Sequence, residues 1–317
     1  MKKYLFTSLS VLISLNSYSQ TISNDDIKQG EQMIEAYFMP LTQSFGTGLN
    51  NGWYNTAKPH SLGGFDFTVT LNSVIIANSV QSFNIQEAGE KTFTSANDEA
   101  STILGIADGT QMTYNPNGID TSYNFTMPGG FNTIIVPLPI MQAGIGLIKN
   151  TGIDFRFIPK MNVGKSGDES IEVSLFGVGL KHDLLQWIPA VGDAIPMSLS
   201  LQGGYTSLNA EMEIDKQKIN LNTRSATMNL IASRKLLMVT GYAGLGYNLS
   251  TTSFSTDAKF DLGGLKFDEK IDATFESNNN LRANVGLRLN MTLVTIHADY
   301  TFAKYHAASL GLGVSLR

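Results

Sequence analysis

The sequence predicts an all-β protein, a transmembrane antiparallel β-barrel of about 12 strands (10–14) carrying an N-terminal amphipathic helix. Three observations lead there. Runs of about 9–11 residues alternate apolar and polar side chains, the length that crosses a bilayer when tilted, whereas soluble strands run to about 5–6. The polar positions of those runs hold Gly, Ser, Thr and Asn rather than the Lys and Glu of a solvated sheet. Charged residues make up only 15% of the 317-residue chain, against about 25% in soluble domains.

The chain opens with "MKKYLFTSLSVLISLNSYSQ". Lys2 and Lys3, an apolar run to Leu15 and the small-x-small pattern Ser17-Tyr18-Ser19 read as a secretory signal peptide over 1–19, too short in its apolar part to span a bilayer. Cleavage is expected after Ser19, and Gln20 then rules against a lipid-modified cysteine. Residues 20–62 form an N-terminal helical segment. Ser23 or Asn24 can cap it, and Ile27, Ile34, Tyr37, Phe38, Leu41 and Phe45 recur at helical spacing, with a kink expected at Pro40. Such a face must cover something, so the segment is a hatch inside the barrel or a cover at its rim. Ile34, Tyr37, Phe38, Leu41 and Phe45 are its candidate contact residues.

The barrel is assigned to 63–317. In "GFDFTVTLN" from Gly64, Phe65, Phe67, Val69 and Leu71 oppose Asp66, Thr68, Thr70 and Asn72. Met141 to Leu147 and Ile153 to Phe157 alternate likewise, joined by the turn-forming "KNTG" at 149–152. The pattern returns at 197–206, at 237–249, at 281–290, in "LVTIHADYTF" at 293–302 and in the closing "SLGLGVSLR". "SATMNLIAS" alternates less cleanly, because Ile231 falls on the polar side. "VIIANSV" at 74–80 breaks the alternation, and "GVGLKHDLLQWIP" at 177–189 shifts toward helical period, placing Trp187 at a rim. Residues 84–135 and 207–222 read as loops and hairpin extensions. A secreted β-sandwich also alternates, but it leaves the strand length and low charge unexplained.

With lipid outside, the polar face looks inward. Asp66, Asp154, Arg156, Arg282, Arg288, His297 and Asp299 are then the lumen-lining candidates. They can bind a polar headgroup or set pore selectivity; they can equally be buried ion pairs that close a narrow barrel or hold the helix, which is the reading preferred here. Cysteine is absent, which removes thiolate metal sites and cysteine nucleophiles. The net charge of −5 argues against nucleic acid. His182-Asp183 and His297-x-Asp299 resemble parts of a hydrolase relay, but no Gly-x-Ser-x-Gly elbow accompanies them. "GKSG" at 164–167 lacks the first glycine of a phosphate loop, and "NPNGID" and "DEKID" lack an EF-hand frame. The expectation is therefore no enzyme, no metal and no cofactor.

The signal ending "SYSQ", the amphipathic helix, "LGGFDFTVTLN", "GVGLKHDLLQWIP" followed by "PMSLSLQGGYTSLN", and the close "YTFAKYHAASLGLGVSLR" together resemble a family of outer-membrane barrels of unknown function, distantly similar to the FadL-type long-chain fatty acid transporters. That resemblance implies the outer membrane of a Gram-negative bacterium and a barrel that binds or transports a small hydrophobic compound past an N-terminal hatch. The FadL-type Asn-Pro-Ala hatch motif is not visible here, so no ligand residue is carried over. The alternative is a non-transporting scaffold that docks a secretion or surface-display partner. The expected partners are outer-membrane lipid, a hydrophobic small molecule and, on the alternative, a periplasmic or surface protein.

Overall fold

A computed structural model of the chain describes residues 24–89, 92–115, 122–166, 169–188, 196–214, 217–262, 265–277 and 280–316. The expected signal cleavage, the "NPNG" turn beyond Asn115 and Gly167 of "GKSG" lie outside them. The chain divides into two compact units.

The larger unit comprises Gln43–Ile75, Ile135–Phe254 and the chain from Glu276 onward. It holds a closed antiparallel barrel. The strands are β1 (Phe65–Ile75), β2 (Ile135–Leu147), β3 (Thr151–Ser166), β4 (Glu169–Asp183), β5 (Ser198–Ile214), β6 (Gln217–Leu236), β7 (Val239–Leu262), β8 (Leu265–Glu276), β9 (Leu281–Met291), β10 (Val294–Phe302) and β11 (Ala307–Leu316). Each pairs with its sequence neighbour, and β11 closes on β1 with Phe65 opposite Leu316 and Val74 opposite Ala307. β7 is long enough to pair with both β8 and β9; its part beyond Phe254 and β8 as far as Phe275 belong to the smaller unit, so β8 is an extra strand and the ring contains ten.

Ten lies at the low end of the expected 10–14 and below its central figure of twelve. The strands run from 9 to 24 residues, so more sequence goes into each, and residues 76–134 belong to the other unit instead of returning to the wall. The described residues of 207–222 are the hairpin extension: they continue β5 and β6, with Ser207 opposite Arg224 and Ile214 opposite Gln217.

Burial is inverted relative to a soluble sheet. On β11, Leu310, Leu312, Val314 and Leu316 are exposed while Ser309, Gly311, Gly313 and Ser315 are buried. On β10, Val294, Ile296, Ala298 and Phe302 face out, and Thr295, His297, Asp299 and Thr301 face in. Tyr205 and Phe302 are exposed on the outer face, whereas Tyr305 is buried.

The smaller unit comprises the described chain up to Thr42, Ile76–Ile134 and Ser255–Phe275. It contains two small sheets, one pairing Ser82–Asn84 with Glu99–Ser101, the other ordering Phe93–Thr94, Thr110–Tyr114 and Tyr123–Met127. Phe93 stacks on Tyr114 at 5.3 Å and meets Phe125 edge-on, giving the three-stranded sheet an aromatic core. The helix α1 (Asn24–Asn50) begins in this unit and passes Pro40 without a break in assignment. Tyr37, buried, donates its hydroxyl to the Gly129 carbonyl at 3.0 Å, and Phe38 packs near Phe275. Burial drives the Tyr37 phenol well above its ordinary range, which keeps it a hydrogen-bond donor. Ile34 and Leu41 are half-buried.

Candidate functional site: an occupied lumen

The interior of the barrel is taken up by the chain's own residues Gln43–Gly64. At one end Gln43 donates to the Glu276 carbonyl at 3.2 Å and accepts from Ser277 at 2.7 Å, and Asn50 donates to the Leu249 carbonyl. At the other, the Gly63 amide donates to the Gly146 carbonyl and the Gly146 amide to the Gly64 carbonyl. The segment therefore threads the barrel along its length.

Helix α1 ends inside, and its end explains the lumen arginines. The last carbonyls of any helix lack intrahelical donors and carry the negative end of the helix dipole. Here Asn72 donates to the Gly48 carbonyl at 2.9 Å, Arg156 Nη1 to Leu49 at 2.7 Å, and Arg282 Nη1 to Asn50 at 2.6 Å. Arg156 Nη2 reaches one residue further, to the Asn51 carbonyl at 2.7 Å, while its Nε donates to Gln142 at 2.9 Å. Gly52, at φ +72°, turns the chain out of the helix into a space bounded by Thr70 and Asn72; only glycine takes that conformation cheaply.

Beyond the turn the aromatic residues are seated. Trp53 lies against the Arg156 guanidinium, 3.6 Å from its ring centre. Its other surroundings are Gly179 and Gly204, where an added Cβ would come within 2.6 and 2.5 Å of the indole. Those two glycines are the seat of the ring. Tyr54 donates to Asn284 at 2.6 Å and meets Tyr242 edge-on at 6.2 Å. Ile231, the residue that broke the alternation, is fully buried in the cluster of Trp53, Tyr54, Ala57 and Tyr242. It faces inward because the threading segment supplies an apolar partner there.

The last stretch is held by side chains of the wall. Arg288 Nη1 donates to Asn55 at 2.5 Å, Ser233 accepts from the Ala57 amide at 2.9 Å, and Ser200 donates to the Ala57 carbonyl at 2.6 Å. His60 pairs with Asp66 at 3.0 Å.

All seven lumen candidates lie on the inner face, but they do not form one site. Arg156, Arg282 and Arg288 grip the threading segment. Asp66 answers His60. Asp154 stands near it across Gly144, where an added Cβ would sit 2.6 Å from a carboxylate oxygen of each. His297 lies between Asn55 and Thr70 at 3.5 and 3.4 Å, and Asp299 accepts from Tyr242 at 2.9 Å. The expected arginine–aspartate pairing gives way at Arg156 and Arg282 to bonds with backbone carbonyls, because a helix end inside the barrel offers several unsatisfied acceptors together. Of the hatch candidates, Phe45 lies in this unit and is half-buried. Sequence reasoning missed Trp53, Tyr54, Asn72, Gly179 and Gly204. The readable signal was "GLNNGWYNTAKPH", where two aromatics stand in a polar, non-periodic stretch.

His182, at the end of β4, is accounted for by local bonds. Trp187 Nε1 donates to its Nε2 at 2.8 Å, which leaves Nδ1 protonated to donate to Thr151 at 2.8 Å. The expected rim helix is a single turn, Leu185–Trp187.

A family profile matches residues 1–316. The chain belongs to a family of unknown function (DUF6588). No curated protein matches this member of the family. Among solved structures, the translocator domain of the autotransporter NalP from Neisseria meningitidis is 11% identical, with 90% of this chain and 96% of that one covered and a TM-score of 0.34. The outer membrane protease OmpT from Escherichia coli is 8% identical over 80% and 97%, with a TM-score of 0.36. A mutant of the TodX monoaromatic hydrocarbon channel is 9% identical over 87% and 75%, with a TM-score of 0.27.

Proposed function

We propose that this chain is an outer-membrane barrel, exported by its N-terminal signal segment, whose lumen is sealed by residues 43–64 and which serves as a non-transporting scaffold for a secretion or surface-display partner. The membrane reading rests on the inverted wall. The outward residues Phe65, Phe67, Val69, Leu71 and Ile75 belong to an 11-residue strand, which at the usual rise and tilt rises about 25 Å, the height of a barrel's apolar band. A closed ring leaves no unpaired edge, as a strand-built membrane protein requires. No catalytic role is assigned to the lumen histidines, whose ring nitrogens face Asn55, Thr70 and Asp66.

The sealed reading rests on the clamp that Arg156 and Arg282 make on the last carbonyls of α1. Charge-assisted bonds of this kind contribute about 1.5–3 kcal/mol each, so the segment does not leave the lumen by thermal fluctuation. In planar bilayers the purified chain is expected to give no conductance steps, and the double variant Arg156→Ala/Arg282→Ala to give them. Stable open steps from the unaltered protein sink the sealed reading.

A second reading is favoured by one observation, the position of the N-terminal chain inside the lumen, which is similar to the hatch of FadL-type transporters of hydrophobic compounds. A lock separates the two. Thr56 and Ser233 hydroxyls lie 3.3 Å apart, and the chain has no native cysteine, so Thr56→Cys/Ser233→Cys can tie the segment to the wall. Uptake of a fluorescent fatty acid into vesicles that stops on oxidation and returns on reduction establishes the hatch. Absence of uptake in either state leaves the scaffold.

A further inference from the structure

One rim of the barrel is made of the short connections β2–β3, β6–β7 and β9–β10 and the single turn Leu185–Trp187 that follows β4, with the start of β1 and the end of β11. Short turns facing water are ordinarily polar, with Gly, Asn or Asp where the backbone turns left-handed. Here they are mixed. Lys149, Asn150 and Thr292 take the left-handed backbone in two of the turns, but Ile148, Trp187, Leu236, Leu237, Met238 and Leu293 stand on the same rim and are all exposed. Leu237 is 94% exposed and stands at φ +55°, a conformation that costs a side-chain-bearing residue about 1 kcal/mol. An apolar residue held in strained backbone and set fully in water gains nothing from either.

Basic residues lie beside these tips. Lys149 follows Ile148, and Arg234 and Lys235 precede Leu236; all three are exposed. The nearby Asp183 carboxylate is engaged, accepting from the Leu185 amide at 2.8 Å. The apolar tips adjoin the apolar outer wall, where Met291, Val294 and Val239 at the strand ends are exposed as well.

We propose that this rim is immersed in the membrane interface, with the turn tips, led by Leu237, in the acyl region and Lys149, Arg234 and Lys235 on anionic phospholipid headgroups. Apolar residues flanked by Lys and Arg are the composition by which chains lie in an anionic interface, and Trp187, joined through its indole N–H to His182, has the amphipathic form that favours the same depth. The inference rests on the membrane reading of the wall.

The test uses the cysteine-free full chain. Leu237→Cys and, on the mid-wall, Leu312→Cys each carry an environment-sensitive fluorophore in vesicles of phosphatidylethanolamine with phosphatidylglycerol. The expected result is blue-shifted emission at both positions, protection of both from iodide, and quenching of the Leu237 site by spin-labelled lipid. Spin-labelled phosphatidylglycerol is expected to quench that site more than its phosphatidylcholine counterpart, by about fivefold per basic residue in local enrichment. Arg234→Gln/Lys235→Gln is expected to remove most of that preference and keep the blue shift. Water-like, iodide-quenched emission at Leu237 with a lipid-quenched Leu312 overturns the rim proposal alone. Water-like emission at both overturns the membrane reading. Blue-shifted emission at Leu237 that no lipid quencher reaches overturns the proposal in favour of a second copy of the chain.

Discussion

The wall and the chain inside it are stabilised in different ways. The wall is held by backbone ladders between neighbours, as where Phe65 to Leu71 run opposite Leu316 to Leu310, and its side chains follow a period of two. The segment Gln43–Gly64, the end of α1 and the irregular chain beyond it, has no ladder with the wall beyond its contact with Gly146 at the rim. It is held there by wall side chains: Asn72, Arg156, Arg282, Ser200 and Ser233 reach its backbone, and Arg288 reaches the side chain of Asn55. Removing one outward leucine from the wall breaks no ladder bond. Removing Arg156 strips two backbone acceptors at once, so a ladder spreads its dependence and a clamp concentrates it.

Arg156→Ala is the strongest way to break that contrast. It removes the donors to Leu49 and Asn51 and the cation beneath Trp53, and two such bonds amount to about 3–6 kcal/mol. Residues 43–64 are expected to become protease-accessible and to admit ions while the ten-stranded ring survives as a heat-modifiable band on electrophoresis. Loss of the ring together with the segment shows instead that the two fold as one element.

Leu312→Arg makes the converse test on the wall. Leu312 sits opposite Val69 and Ile296, away from both rims, where a cation on the lipid face costs about 2–4 kcal/mol. Unfolding from vesicles by denaturant should register that loss, with no conductance. A variant as stable as the parent contradicts the lipid-facing assignment.

These contrasts also account for what could be read beforehand. Alternation with small polar residues revealed the wall, its inner and outer faces and the inward direction of Arg156 and His297, because the outer face and the lumen impose opposite chemistry on successive residues. The strand number was overestimated because strand length is not fixed by period: β7 runs on for 24 residues. The clamp was not readable, because its bonds join a side chain to a backbone carbonyl 107 or 232 residues away, and a carbonyl leaves no mark in composition. Ile231 left one. Its misplacement on the polar face recorded an apolar partner inside the barrel.

Gly204→Ala sharpens the comparison at the seat of Trp53. The new methyl would meet three indole atoms at 2.5–2.8 Å, an overpacking that costs about 1–3 kcal/mol. Measured with Trp187→Phe as background, so that Trp53 alone emits, the fluorescence should shift to the red as the ring is displaced. Gly203→Ala, whose added Cβ has its nearest contact at 4.0 Å, should leave it unchanged.

Tyr54→Phe has the smallest expected effect and divides the hold on the segment into polar and apolar parts. The substitution deletes the bond to Asn284 and keeps the edge-on contact with Tyr242. A single neutral bond is worth about 0.5–1.5 kcal/mol, so amide exchange in residues 51–57 should quicken modestly without opening the lumen. Exchange that quickens as much as in Arg156→Ala would show instead that the Tyr54 bond, and not the arginine clamp, carries the hold on this stretch.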